Sequence, residues 1–416
     1  MTLAAAPWVG RPHHELAELA REYLLIGHLI DRSGMPHLIA RLGREPMQDI
    51  AIDEWMGASP TYTKRMQRLL GFEGDTVETI FKGMQLDIGA PPEFLDFRYE
   101  VHGDNAGRFH LDHCGALMDV EPMGEEFVNG MCHTIEDPTF DATATAANPR
   151  AQVRPIHRPP RTPADRHPHC AWTVQILPDA EDLPVPDQAL RLADSNAARL
   201  PLASATVGLH DDDGWNDYTA DLDPDLLMEH FSSATLSRIL DEVALQGQLL
   251  TRSYLLATAD RIGADVTEVG AHQAAGLAGV ATKRLAAALG LAADLDGVAD
   301  ALALSPIALP RAYADLRVAR RGDAVVVSLH ASPGTDEADG LSWPALLAGP
   351  GGDAILHAAS VVLVPTATVT RTDPEDDALA TWSITSDPEA DPAPQPDDVT
   401  LVEFSTGATF QFQRRA

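Results

Sequence analysis

An internal repeat limits the fold of this chain more than any other feature. Residues 27–43, GHLIDRSGMPHLIARLG, lie on residues 247–263, GQLLTRSYLLATADRIG, with 6 identities in 17 positions. After a one-residue gap, residues 63–104 lie on residues 282–323 without interruption. That stretch runs from TKRMQRLLG against TKRLAAALG to DFRYEVHGD against DLRVARRGD, with 12 identities in 42 positions. Unrelated sequences of that length share about three. Looser matches follow in the same order: Phe109 to Leu111 on Val327 to Leu329, Pro138-Thr139 on Pro365-Thr366, and CAWTVQI from Cys170 on ATWSITS from Ala380. Such a chain must satisfy one burial pattern twice. It is therefore expected to form two diverged copies of one unit, packed as a pseudo-dimer. The boundaries fall at 1–180 for the first copy, 181–230 for an Asp-, Pro- and Leu-rich connector with a little structure, and 231–416 for the second.

Within a copy the pattern changes part-way. Leu16, Leu19, Ala20, Tyr23, Leu24, Ile26, Leu29 and Ile30 recur at helical spacing and predict a helix over 14–32. A second opens at Ser59-Pro60 and runs through Met66, Leu69 and Leu70 to Gly71. DTVETIFKGMQLD, at 75–87, predicts a third. From about residue 96 the pattern turns to short strands: DFRYEV, a HGDNAG turn, then RFHLDHC. The expected fold class is α+β, with a helical front half and a small antiparallel sheet behind it.

The balance of 62 acidic against 30 basic side chains gives a net charge of −32. That argues against a nucleic-acid partner, which needs a basic stripe to displace counterions, and against an anionic membrane surface. Thr63-Lys64-Arg65 on short paired helices suggests helix-turn-helix DNA binding, but no sustained basic face supports it. No apolar run approaches the ~20 residues of a membrane span, and Met1 to Gly10 lacks the basic region of a secretory signal. Three cysteines in 416 residues are no disulfide framework. A cytoplasmic protein with reduced thiols is expected.

Those cysteines, Cys114, Cys132 and Cys170, lie within 57 residues and beside histidines: His110-x-x-His113-Cys114, Cys132-His133 and His167-x-His169-Cys170. Thiolate and imidazole together suit zinc and, less well, iron. The expected metal ligands are His110, His113, Cys132, His133, His169 and Cys170. Cys114 is a candidate nucleophile, with Asp119, Glu125 and Glu126 to move protons. Neither C-x-x-C nor H-E-x-x-H occurs, so the signal is clustering, not spacing. The second copy strengthens it, since Cys170 falls on Ala380 while its neighbour Trp172 falls on Trp382. Arg154, Arg158 and Arg161 form the one locally basic stretch. They offer bidentate grips on an anionic small-molecule substrate, or else pair with nearby acids.

FHLDHC at 109–114, a second cysteine at Cys132, and Cys170-Ala-Trp-Thr-Val together resemble the L-2-amino-thiazoline-4-carboxylic acid hydrolases, over residues 109–176. The resemblance implies that the three cysteines line a site hydrolysing a C–N bond in a small heterocycle. The chain departs from that family by a Pro/Arg/His-rich insert before Cys170 and by its second copy. The expected function is metal-dependent hydrolysis or lyase chemistry on a small anionic molecule. The alternative is a non-catalytic sensor or accessory protein with a structural metal site.

Overall fold

The computed structural model describes residues 6–206, 208–210 and 213–413. Residues 1–5 of the apolar N-terminus, residues 207, 211 and 212 of the connector, and residues 414–416 fall outside the description. The first half runs α1 (His13–Leu42), α2 (Arg44–Leu70), α3 (Val77–Met84), β1 (Leu95–Val101), β2 (Ala106–Cys114) and α4 (Gly115–Val120). It continues with α5 (Glu125–Asn129), a π-helical turn (Gly130–Ile135), α6 (Glu136–Thr145), β3 (Ala151–His157) and β4 (Cys170–Ile176). Two short helices follow, α7 (Asp187–Ala193) and α8 (Asn196–Arg199). The second half runs α9 (Ser233–Ile262), α10 (Val266–Leu289), α11 (Leu295–Ala303), β5 (Leu316–Arg321) and β6 (Ala324–His330). It closes with α12 (Trp343–Ala348), α13 (Gly352–Val361), β7 (Ala367–Thr372), β8 (Ala378–Ser386) and α14 (Asp397–Val402). The chain is α+β, with two four-stranded antiparallel sheets in the same order, β1-β2-β4-β3 and β5-β6-β8-β7. Among the described residues no helix is long and apolar enough to cross a membrane.

The matched sequence blocks do matched work. Gly71 and Gly290 end α2 and α10 in the left-handed conformation (φ 71° and 63°), each donating its N–H back to the helix. In the sheets, Leu111 pairs with Cys170 and Phe109 with Trp172, while Leu329 pairs with Ala380 and Val327 with Trp382. The strand register thus agrees with the sequence alignment of Cys170 on Ala380.

Both long helices of the first half exceed the sequence expectation. The helix expected over 14–32 extends to Leu42 through Pro36, and the one expected to open at Ser59-Pro60 begins at Arg44 with Pro60 inside it. Proline costs a helix one hydrogen bond and crowds the preceding turn. Here burial outweighs that cost, because Ala58, Ser59 and Tyr62 are buried where α2 packs on α9. α3 and the β1–β2 hairpin stand where the sequence puts them.

The halves are interleaved. Arg65 of α2 forks onto Glu242 of α9 (2.8 and 2.7 Å), and Arg284 of α10 forks onto Glu22 of α1 (2.7 and 2.9 Å). Arg65 and Arg284 are matched in sequence, so one contact is made twice with the halves exchanged. The tails follow the same rule. Asp119 accepts from Ser405 Oγ (2.6 Å) and Thr406 N (2.7 Å), while Glu337 accepts from the backbone N–H groups of Asn196 and Ala197 (3.1 Å each). The stretch expected to be a connector with a little structure carries the short helices α7 and α8. It is bonded to the second half, as the C-terminal segment is bonded to the first.

Candidate functional site

The site lies between α1, α2, the first sheet and α6. From Leu16, α1 reads LAELAREYLLIGHLIDRSG, with polar residues inside an apolar run, and Arg21, Glu22, His28, Asp31, Arg32 and Ser33 among them are buried. A buried charge must be paired, and Arg32 meets Asp31 (2.8 Å to both oxygens) and Asp119 (3.4 Å). Asp31 also accepts from Trp55 Nε1 at 3.4 Å. Burial pushes the carboxyls of Asp31 and Glu54 up, against the pull of Arg32. It pushes His28 well down, with Arg32 adding to the effect, so that the imidazole is neutral.

Beneath these groups is a cavity of about 110 Å³. Its apolar wall includes Met84, Leu95, Phe97, Leu111, Ile135 and Phe140. Its polar edge adds Asp87 and Glu136 to His28, Asp31 and Arg32. Asp87 accepts from Tyr62 Oη (2.8 Å) and Gly89 N (2.7 Å), yet burial lifts its carboxyl to about 6. Glu136 is held at about 8, because burial outweighs the pull of the Arg158 guanidinium. The surface that Glu136 retains opens into this cavity. At neutral pH one carboxyl is thus mostly ionised and the other mostly protonated, the pairing that general acid–base chemistry uses.

A groove of about 440 Å³ adjoins the cavity and shares Arg32, Met35, Met131 and Ile135 with it. Its further walls include Met47, Met123, Phe127, Leu401 and Phe404. Met131 and Ile135 sit one turn apart on the π-helical stretch, a distortion that recurs at functional sites.

The sequence candidates distribute unevenly around this site. Cys114 and Cys170 line the cavity; Cys132 is buried in the core beside it. Burial pushes the Cys114 thiol up to about 12, with Glu136 adding to the effect, and it likewise raises Cys132 and Cys170 well above the usual thiol range. None of the three is a thiolate at neutral pH, so Cys114 lacks the activation that a nucleophile needs. Its sulfur instead accepts from Leu117 N (3.3 Å) and caps α4, as Ser342 caps α12 at the same place in the element order.

The expected metal set does not assemble. Among the described residues, no three of His110, His113, Cys114, Cys132, His133, His169 and Cys170 bring donor atoms within 4.8 Å of one another. His110 faces Asp112 (3.3 Å) and His133 bonds the Pro159 carbonyl (2.7 Å). His113 lies against Phe94, Phe410 and His169. His169 is pushed down to about 4 by burial, with Arg161 next in effect, and its Nδ1 has no partner. Closeness in sequence failed as a guide because successive strand residues face opposite sides of a sheet.

The expected carboxylates and arginines are otherwise engaged. Glu125 and Glu126 are exposed on the surface, Glu126 against Arg44 at 3.3 Å, while Asp119 is a buried tie for the C-terminal segment. The arginines do not converge on an anion: Arg154 pairs with Asp141 (2.8 Å), Arg158 with Asp137, and Arg161 with Glu121 (3.0 and 2.7 Å). In an acidic chain each of these three arginines finds a carboxylate. The sequence reading missed His28, Asp31, Tyr62, Asp87 and Glu136, although polar residues interrupting the apolar run of α1 were a signal for two of them.

Comparison with protein-family models, curated proteins and solved structures returns no significant match to this chain.

Proposed function

We propose that the cavity in the first half binds a small molecule of about one ring, neutral or cationic, and performs acid–base chemistry on it. Glu136 would act as proton donor and Asp87 as acceptor. The observation carrying this reading is one largely apolar cavity lined by two carboxyls lifted to about 8 and about 6. An apolar cavity of comparable size, ~150 Å³, accommodates benzene. The charges at its edge favour neutral or cationic ligands, because Arg32 is already matched by Asp31 and Asp119. The groove lined by methionines supplies an apolar approach, with Met131 and Ile135 at the junction.

Protonation of a departing nitrogen by Glu136 is the step that hydrolysis or lyase cleavage of a C–N bond requires. This agrees with what the resemblance of residues 109–176 implies, while moving the working residues from cysteines to carboxyls. Calorimetric titration with benzylamine and benzoate tests the site. Benzylamine should bind and benzoate should not, and Thr143→Trp, which fills the cavity, should abolish binding. Benzoate binding alone, or benzylamine binding undiminished in Thr143→Trp, overturns the proposal. Ammonia release from single-ring amides and amidines, lost in Glu136→Gln, separates an enzyme from a ligand-binding sensor.

The halves, on this reading, are duplicated copies packed as a pseudo-dimer, with only the first copy functional. The exchanged Arg–Glu forks, the exchanged tails and the common strand order support the duplication. Such reciprocity is the signature of an isologous interface.

A further inference from the structure

On α1, two residues beyond Met35 of the cavity wall, three side chains from three helices meet. His272 Nδ1 of α10 lies 3.0 Å from both carboxylate oxygens of Asp398 on α14. His37 Nε2 of α1 lies 3.4 Å from Asp398 Oδ1. The two imidazoles are nearly parallel, with centroids 5.0 Å apart and planes at 24°. One donor atom from each of the three residues falls within 4.8 Å of the others. Among the described residues, no other group of three or more His, Cys, Asp or Glu meets that condition.

We propose that His37, His272 and Asp398 form a divalent transition-metal site of the zinc type, with water completing the coordination. Tetrahedral zinc with bonds of 2.0–2.2 Å sets neighbouring ligand atoms about 3.4 Å apart, which the distances here approach. Two imidazoles and one carboxylate suit zinc or iron rather than calcium or magnesium. His37 Nε2 is buried and makes no hydrogen bond, so it has a lone pair without an assigned use.

The frame around the site appears twice, but the donors appear once. Gly276 of α10, one turn beyond His272, lets α14 approach so closely that a Cβ there would meet the Asp398 carbonyl at 2.8 Å. Its sequence match, Gly57 of α2, lets α7 approach in the same way, with a Cβ there meeting Gln188 Cγ at 2.6 Å. Continuing the alignment puts Asp53 opposite His272 and Ala257 opposite His37. A frame used only for packing has no need of two histidines and an aspartate at one of its two occurrences.

Zinc or cobalt(II) would tie α1, α10 and α14 together; α14 carries Leu401 on the wall of the groove, and Phe404 follows just beyond its end. The test is titration of the full chain with Co²⁺ and Zn²⁺, beside His272→Ala, His37→Ala and Asp398→Asn. His272 is half exposed, so its variant is expected to fold. The wild type should bind one equivalent, with a cobalt spectrum of nitrogen and oxygen ligation and a rise in melting temperature. Each variant should lose more than the ~10–100-fold in affinity that changes outside the ligand shell cost. Equal affinity in wild type and His272→Ala overturns the proposal. A sulfur-to-cobalt charge-transfer band would place the ion at the cysteines and overturn it equally.

Discussion

Replacing Glu136 by glutamine should make this protein more stable, and increasingly so as pH rises. The unfolded chain ionises this carboxyl near 4.5, whereas the folded chain holds its proton until about 8. Between those values the native state binds more protons than the unfolded state, so stability falls with rising pH. The contribution is intact below about pH 4.5 and fully lost above about pH 8. At 1.36 kcal/mol per pH unit the span gives an upper bound of about 5 kcal/mol. Water reaching the carboxyl through the cavity reduces that to about 2 kcal/mol. Glutamine keeps the shape without the charge. The change sacrifices little helix-end electrostatics, because α6 continues the π-helical turn and Glu136 does not cap a free N-terminus. Urea unfolding followed by tryptophan fluorescence, at intervals from pH 4.5 to 9, measures the difference directly. Histidines and other carboxyls cancel between the two proteins. The curves should coincide near pH 4.5 and separate by about 2–5 kcal/mol by pH 8.5, glutamine the more stable. Parallel behaviour across the range, or a wild type that gains relative stability with pH, would refute the burial argument and remove Glu136 as a proton donor.

Asp119→Ala removes the acceptor for Ser405 and Thr406 and one partner of Arg32. It should cost about 3 kcal/mol and open residues 403–413 to limited proteolysis. An unchanged cleavage pattern would mean that the C-terminal segment is held by packing alone. The three thiols should resist iodoacetamide in the native state at pH 8 and label promptly in urea, since burial leaves a thiolate fraction of about 10⁻⁴ at Cys114. Rapid native labelling of Cys114 would restore it as a candidate nucleophile.

The sequence alone determined the plan of each half. The helical spacing of residues 14–32, the glycine stop at Gly71 and the hairpin at 96–114 are local signals, and each appears in the fold. Even Arg65 and Arg284 were visible as matched residues. Their partners Glu242 and Glu22 were not, because which helix faces which depends on how the halves exchange, and no periodicity records that. The site was legible only in fragments. Clustering of Cys114, Cys132 and Cys170 marked the neighbourhood of the cavity, which two of them line, but not the burial that keeps their thiols protonated. Burial sets proton affinity, and burial is a property of the assembled structure: the same enclosure that keeps the thiols protonated lifts Glu136 and Asp87 into a useful range. His37, His272 and Asp398 stand 235 and 126 residues apart, with no spacing to connect them. Only the packing of α14 against Gly276 and α1 brings them together, and tertiary contact alone decided that.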